Sequence, residues 1–320
     1  MIKKILYSTP FLAIVCCLLW ATPFVGIKVG LKYVPPLQFA GLRFFVAGLL
    51  ILPFIPDCKN RIKQSLKYWK LLLIITGLQT TFLYSLFYIG LAMVPGSLGA
   101  LIVGSNPIFV ALTAHFFMPD DRMTWKKTVA ILIGILGVII VSFSGNKGAV
   151  NASQIAYGSL TMGILILVAK NFVGSYGNIL IAKSASKIYP RVLAAFTLSV
   201  GGLSILILSE LFERPNWTVH LPLEFYLTWI WLALVSTFAI AIWYTLLQRP
   251  GVKVSTLNFW TFIIPVFGAI FSWIFLPNEK PDRLSLIGML VIGLSLVLIN
   301  YHNRKAKVST INRIKTNKSV

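Results

Sequence analysis

The residue with the most chemistry to explain is Lys170. It lies roughly thirteen residues from either end of an apolar block, close to 18–20 Å at about 1.5 Å per residue of helix. Its stem cannot reach either membrane surface from there, and a lysine facing lipid at that depth costs about 3 kcal/mol or more. It must face protein, water or a solute. Gly163, Gly174 and Gly177 fall on its helical face, and Asn171, Ser175 and Asn178 form the adjacent stripe. Other polar and aromatic groups lie at comparable depth: Gln79 with Tyr84, Asn106, Trp20 and Trp243. Together they suit the binding of a small anionic or zwitterionic solute. The ammonium attracts the anionic group, Gln79, Asn106, Asn171 and Asn178 hydrogen-bond other polar groups, and Trp20, Tyr84 and Trp243 contact the apolar part. The plainer alternative is a lysine tied off by frayed carbonyls of the helix opposite.

What accompanies these residues narrows the chemistry. The eight acidic residues are Asp57, Asp120, Asp121, Glu210, Glu213, Glu224, Glu279 and Asp282, all in loops or at helix ends. Proton relays in pumps use buried Asp, Glu or His, so a midplane carboxylate drives nothing here. His115 is the only intramembrane histidine, either a sensor of cytoplasmic pH or a hydrogen-bonded packing residue. Arg43 lies about five residues inside its block, where a long side chain reaches the interface, and reads as structural. The sequence has no Walker loop, HExxH, GxSxG or convergent nucleophile–base set, so it does not read as an enzyme. Three cysteines without metal spacing argue against a metal, and no cofactor is called for.

These residues are carried on ten long apolar blocks: 11–31, 38–55, 69–92, 98–118, 128–143, 157–181, 192–212, 225–247, 257–276 and 284–300. Each approaches the roughly 17–25 residues that a bilayer-spanning helix needs. With 57% hydrophobic and 12% charged residues, the expectation is an all-α polytopic membrane protein. The net charge of +21 is not spread evenly. With the N-terminus inside, 21 of the 29 Lys and Arg fall on the inner segments and six on the outer ones. That bias predicts a plasma-membrane protein with both termini cytoplasmic. The basic tail 304–320 then reads as an anchor near anionic lipid and not as a nucleic-acid surface.

A shift of 158 residues lays "SLGALIVGSNPIFVALTAHFF" (97–117) over "STLNFWTFIIPVFGAIFSWIF" (255–275). Pro107 meets Pro265 and, further on, Asp121 meets Glu279. Five blocks per half is an odd number, so the halves are expected in opposite orientations, as inverted repeats over 1–145 and 146–303. Proline removes a backbone donor and frees a carbonyl about one turn earlier, near Val103 and Thr261. Pro107 and Pro265 are thus expected helix breaks facing the pathway; the alternative is a packing kink.

"LLWATPFVGIK" (18–28), "VPPLQFAGLRFFVAGLL" (34–50), "DDRMTWKKTVAILIGILGVIIV" (120–141) and "NEKPDRLSLIGMLVIGLSLVLI" (278–299) resemble the EamA family of the drug/metabolite transporter superfamily. The second half lacks the first half's Trp and Arg-Phe. The resemblance implies ten helices, a central cavity lined mainly by spans 1, 3, 4, 6, 8 and 9, and alternating access. The expected function is transport, most plausibly export, of small polar metabolites such as amino acids or related zwitterionic and anionic solutes. Drug efflux and nucleotide-related carriage stay open, as does a lipid-flipping or non-transporting membrane protein. The expected partners are a small-molecule substrate and membrane lipid, with a homodimer left open.

Overall fold

The structure is a computed structural model and describes residues 6–94, 102–144, 157–215, 220–275, 283–284 and 286–298. Among the described residues it is all-helical, with no strand. Five helices are long and apolar enough to cross a membrane, within 36–54, 69–90, 160–183, 190–212 and 223–247. Shorter apolar helices occupy other blocks. In chain order the elements are α1 (Thr9–Ala21), α2 (Pro23–Gly30), α3 (Pro36–Ile51), α4 (Cys58–Leu66), α5 (Trp69–Thr76), α6 (Leu83–Ala92), α7 (Asn106–Phe117), α8 (Trp125–Ser144), α9 (Tyr157–Lys183), α10 (Pro190–Phe212), α11 (Leu223–Leu247), α12 (Val254–Phe259), α13 (Ile263–Phe275) and α14 (Leu286–Leu298).

Four blocks are interrupted, each by identifiable chemistry. Between α1 and α2, Pro23 cannot donate, and the Thr22 hydroxyl donates to the Leu19 carbonyl at 2.9 Å. Between α5 and α6 lies a π-helical turn, Gly77–Phe82, which carries Gln79. In the fourth block the chain turns at Ser105, and α7 starts at Asn106 with Pro107 in its first turn. Proline is well tolerated there because the first-turn N–H groups have no intrahelical acceptor. In the ninth block a 3₁₀ turn, Trp260–Phe262, joins α12 to α13, which contains Pro265.

The packing follows a pattern of exchange between the halves. The second and seventh blocks, α3 and α10, pack on glycines. A Cβ at Gly48 would press on the Ser199 nitrogen and the Ala195 carbonyl, and one at Gly202 on the Phe45 backbone. Small residues allow such close backbone approach where lipid offers no hydrophobic drive. The fifth and tenth blocks meet likewise at Gly134 and Gly137 of α8 and at Ser295 of α14, whose hydroxyl donates to the Ala130 carbonyl at 2.6 Å. The sixth block packs on the third and fourth, and the first packs on the eighth and ninth. The second packs on the eighth, and the seventh on the third. Moving each block five places along maps the second–seventh and fifth–tenth pairs onto themselves and each of the other pairs onto another member of the set.

One end of the molecule is tied by a buried ion pair. Asp121 is 1% exposed and accepts from the Lys127 ammonium at 2.5 Å, the Ser255 backbone N–H at 2.7 Å and the Ser255 hydroxyl. Lys127 also donates to the Arg122 carbonyl and the Ser255 hydroxyl, each at 3.0 Å. The cluster joins the segment before α8 to the start of α12. At the N-terminus of α3, Glu213 accepts from the Leu37 and Gln38 N–H groups and from the Ser209 hydroxyl. It occupies the helix N-terminus, where a carboxylate is favoured.

Candidate functional site

Lys170 lies near the middle of α9 and is 9% exposed. Its ammonium donates to Asn171 Oδ1 at 3.3 Å and stands 5.9 Å from the centre of the Phe87 ring on α6. Asn171 in turn donates from Nδ2 to the Ile102 carbonyl at 2.7 Å, just before the break in the fourth block. The Ser105 hydroxyl donates to the same carbonyl at 2.6 Å. This carbonyl at the break, one residue before the Val103 carbonyl that Pro107 leaves without its i+4 donor, thus has two side-chain donors.

Two turns along α9, a chain of amides crosses three blocks. Gln79 Nε2 donates to the Gly174 carbonyl and to Asn178 Oδ1, both at 3.0 Å. Asn178 Nδ2 donates to Asn258 Oδ1 at 3.2 Å, and Asn258 Nδ2 to the Val254 carbonyl at 2.9 Å. The approach depends on small residues: a Cβ at Gly177 would strike the Gln79 amide, and one at Gly174 would strike Leu83. Asn258 is the one amide of the ninth block. Sequence reasoning passed over it, although that singularity was a usable signal.

The aromatic candidates separate. Trp20 and Trp243 pack edge-to-face with ring centres 4.9 Å apart, Trp243 buried and Trp20 half-buried. Tyr84 is half-buried against Phe44, ring centres 4.2 Å apart, away from the Lys170–Asn171 pair. Asn106 stands half-buried at the first residue of α7, beside the Ile102 acceptor but outside the amide chain. Pro107 is buried; the side chain of Pro265 lies outside the described residues.

Two residues differ from the sequence reading or choose between its alternatives. Arg43 does not extend to an interface: it is 6% exposed, with its guanidinium 4.3 Å above the Phe44 ring. Its helix packs against α10 and α11, and depth along the chain does not reveal which face is covered. His115 accepts from the Met123 N–H through Nδ1 at 3.1 Å, the packing role of the two considered. Among the described residues no three His, Cys, Asp or Glu side chains group as metal ligands.

What this arrangement can do is hold an anion. A buried cation and amide side chains lie beside interrupted helices, and among the described residues the one ion pair is Lys127–Asp121, which leaves Lys170 without a carboxylate partner there.

Known proteins were compared with this geometry in view. The model of the EamA-like transporter family matches residues 8–143 and 161–301. An uncharacterized transporter of Bacillus subtilis, YvbV, is 28% identical over 304 residues, covering 92% of each chain. A probable amino-acid metabolite efflux pump of Escherichia coli is 26% identical, covering 92% of this chain and 96% of its own. A solved crystal structure superposes with a TM-score of 0.76 at 18% identity, over 91% of this chain and 96% of that one, which establishes a shared fold.

Proposed function

Because the chain belongs to the EamA-like transporter family, whose model covers both of its halves, we propose that it is a secondary transporter that exports small polar metabolites by alternating access. Amino acids and related zwitterionic or anionic solutes are its cargo. Its architecture in this reading is ten membrane-crossing helices in two inverted repeats, with both termini cytoplasmic in the plasma membrane. The exchange pattern of the packing and the inward bias of Lys and Arg support that arrangement.

The observation that carries the proposal is Lys170. A buried ammonium at mid-membrane is paired only with the neutral Asn171 and stands beside the freed backbone of the fourth block. Intramembrane charges of this kind mark solute pathways. The solute carboxylate supplies the missing counter-charge, and Gln79, Asn171 and Asn178 exchange their mutual hydrogen bonds for its remaining polar groups. The similarity to the E. coli protein, a probable amino-acid metabolite efflux pump, supports both amino-acid cargo and the outward direction. The Asp121–Lys127–Ser255 cluster then closes the cytoplasmic end in this conformation and must part for solute to enter from inside.

Radiolabelled uptake into proteoliposomes over a panel of amino acids tests the reading. Lys170→Met keeps the volume and removes the charge, and should weaken anionic and zwitterionic solutes by about 1.5–3 kcal/mol, the range of a charge-assisted hydrogen bond. Intact transport of all such solutes by a folded Lys170→Met protein would show the lysine to be structural.

A further inference from the structure

Arg43 presents a second unmatched charge, and no part of the mechanism above uses it. Its side chain is 6% exposed, and its Nε has no hydrogen-bond partner. Arginine remains charged in proteins. The Phe44 ring beneath it gives a cation–π attraction but no neutralisation. The neighbouring carboxylate Glu213 is engaged with Leu37, Gln38 and Ser209. No apolar block carries an acidic residue in its interior.

The two cations bracket one surface. Arg43 stacks on Phe44, and Phe44 on Tyr84 with ring centres 4.2 Å apart. One turn further along α6, Phe87 contacts Tyr88 at 5.4 Å and lies under Lys170 at 5.9 Å. Tyr88 is 4% exposed with its hydroxyl unpartnered, and the Ser85 hydroxyl is buried and unpartnered too. Both cations thus stand against aromatic rings that belong to α6 or pack on it, and the same helix carries the two unpartnered hydroxyls.

Charge balance decides which solute fits. A zwitterion brings one carboxylate for one cation, and its ammonium finds no carboxylate in the interior of any apolar block. A solute with two carboxylates matches both cations. We propose that Arg43 is a second anion-binding group of the pathway and that the favoured cargo is a small dicarboxylate, acidic amino acids included. This rests on the assignment of Lys170 to the solute site, but it narrows the cargo and adds a residue.

Counterflow in proteoliposomes of the full chain tests it, with radiolabelled L-glutamate, succinate and L-leucine as probes. The wild type should exchange L-glutamate and succinate. Arg43→Gln should raise KM for both by roughly tenfold or more, the loss of one charge-assisted contact, with the smaller change for any L-leucine exchange. Arg43→Lys should recover a large part of that loss. Exchange of L-leucine without L-glutamate or succinate would overturn the inference while leaving the Lys170 assignment standing. A uniform fall in rate for every solute with unchanged KM and a lowered melting temperature would also overturn it, making Arg43 structural. Should Arg43→Gln fail to fold, the wild-type melting temperature decides: no rise with millimolar L-glutamate or succinate counts against the inference. If Lys170→Met leaves every KM unchanged while Arg43→Gln raises that for L-glutamate, the Lys170 assignment fails by itself.

Discussion

The first helix of each half makes the same reach to the opposite half, with different chemistry. In α1 the Cys17 thiol donates to the Trp260 carbonyl at 3.2 Å. In α9 the Asn171 amide donates to the Ile102 carbonyl at 2.7 Å. Trp260 and Ile102 are 158 residues apart, the spacing of the two prolines, and each lies five residues before its proline. In each case a helix is interrupted just before a proline, and a carbonyl at the interruption is covered by a side chain from the other half of the sequence. The neighbours of the donors differ. Beside Cys17 is Cys16, whose thiol donates to the Ala239 carbonyl at 3.5 Å; beside Asn171 is Lys170. The two contacts are placed alike, while the ammonium and the amide donor at them belong to α9 alone. A weak thiol donor suffices to close a helix break, so the amide and the ammonium in α9 are there for something more.

The most severe way to break the comparison is to part the halves where they are tied. Asp121→Ala leaves the Lys127 ammonium buried without its partner and should cost about 3–5 kcal/mol, read as a large fall in melting temperature in detergent. An unchanged melting temperature would mean that the cluster bears no stability. Asn171→Leu comes next. It strips the Ile102 carbonyl of one of its two donors and Lys170 of its acceptor, and should cost about 1–3 kcal/mol. Loss of transport should accompany it, and full transport would separate the amide from the solute path. The smallest effect belongs to the equivalent position. Cys17→Ala removes a weak donor, should cost no more than about 1 kcal/mol, and should leave transport kinetics intact. A transport defect as large as that of Asn171→Leu would abolish the asymmetry.

The all-helical character and the apolar helices were legible in the sequence because bilayer thickness and proline chemistry leave direct marks on it. The depth of Lys170 and the spacing of Asn171, Gly174, Gly177 and Asn178 put them on one side of α9, and Gln79 does meet Asn178 there. Other features leave no such mark. The π-helical turn at Gly77–Phe82 arises in a run of residues that an ordinary helix would accept. The burial of Asp121 depends on a contact 134 residues away in the chain, which its loop position does not reveal. Arg43 misled for a related reason: depth gives distance to the interface, but the covering by Phe44 and the helices around α3 comes from tertiary packing.

The glycine seam between α3 and α10 has a consequence for ancestry and assembly. These two helices meet closely at glycines, and in the proposed two-repeat architecture they hold equivalent places, so the contact would be nearly a surface pressed against its own likeness. A gene for one half would already encode both faces of that joint, and two copies inserted in opposite directions would close it. Duplication and fusion would then only have joined by a linker what already associated. The trace should persist today: residues 1–145 and 146–320, produced as separate polypeptides in one cell, should find each other and recover transport, whereas a bulky residue at Gly48 or Gly202 should keep them apart.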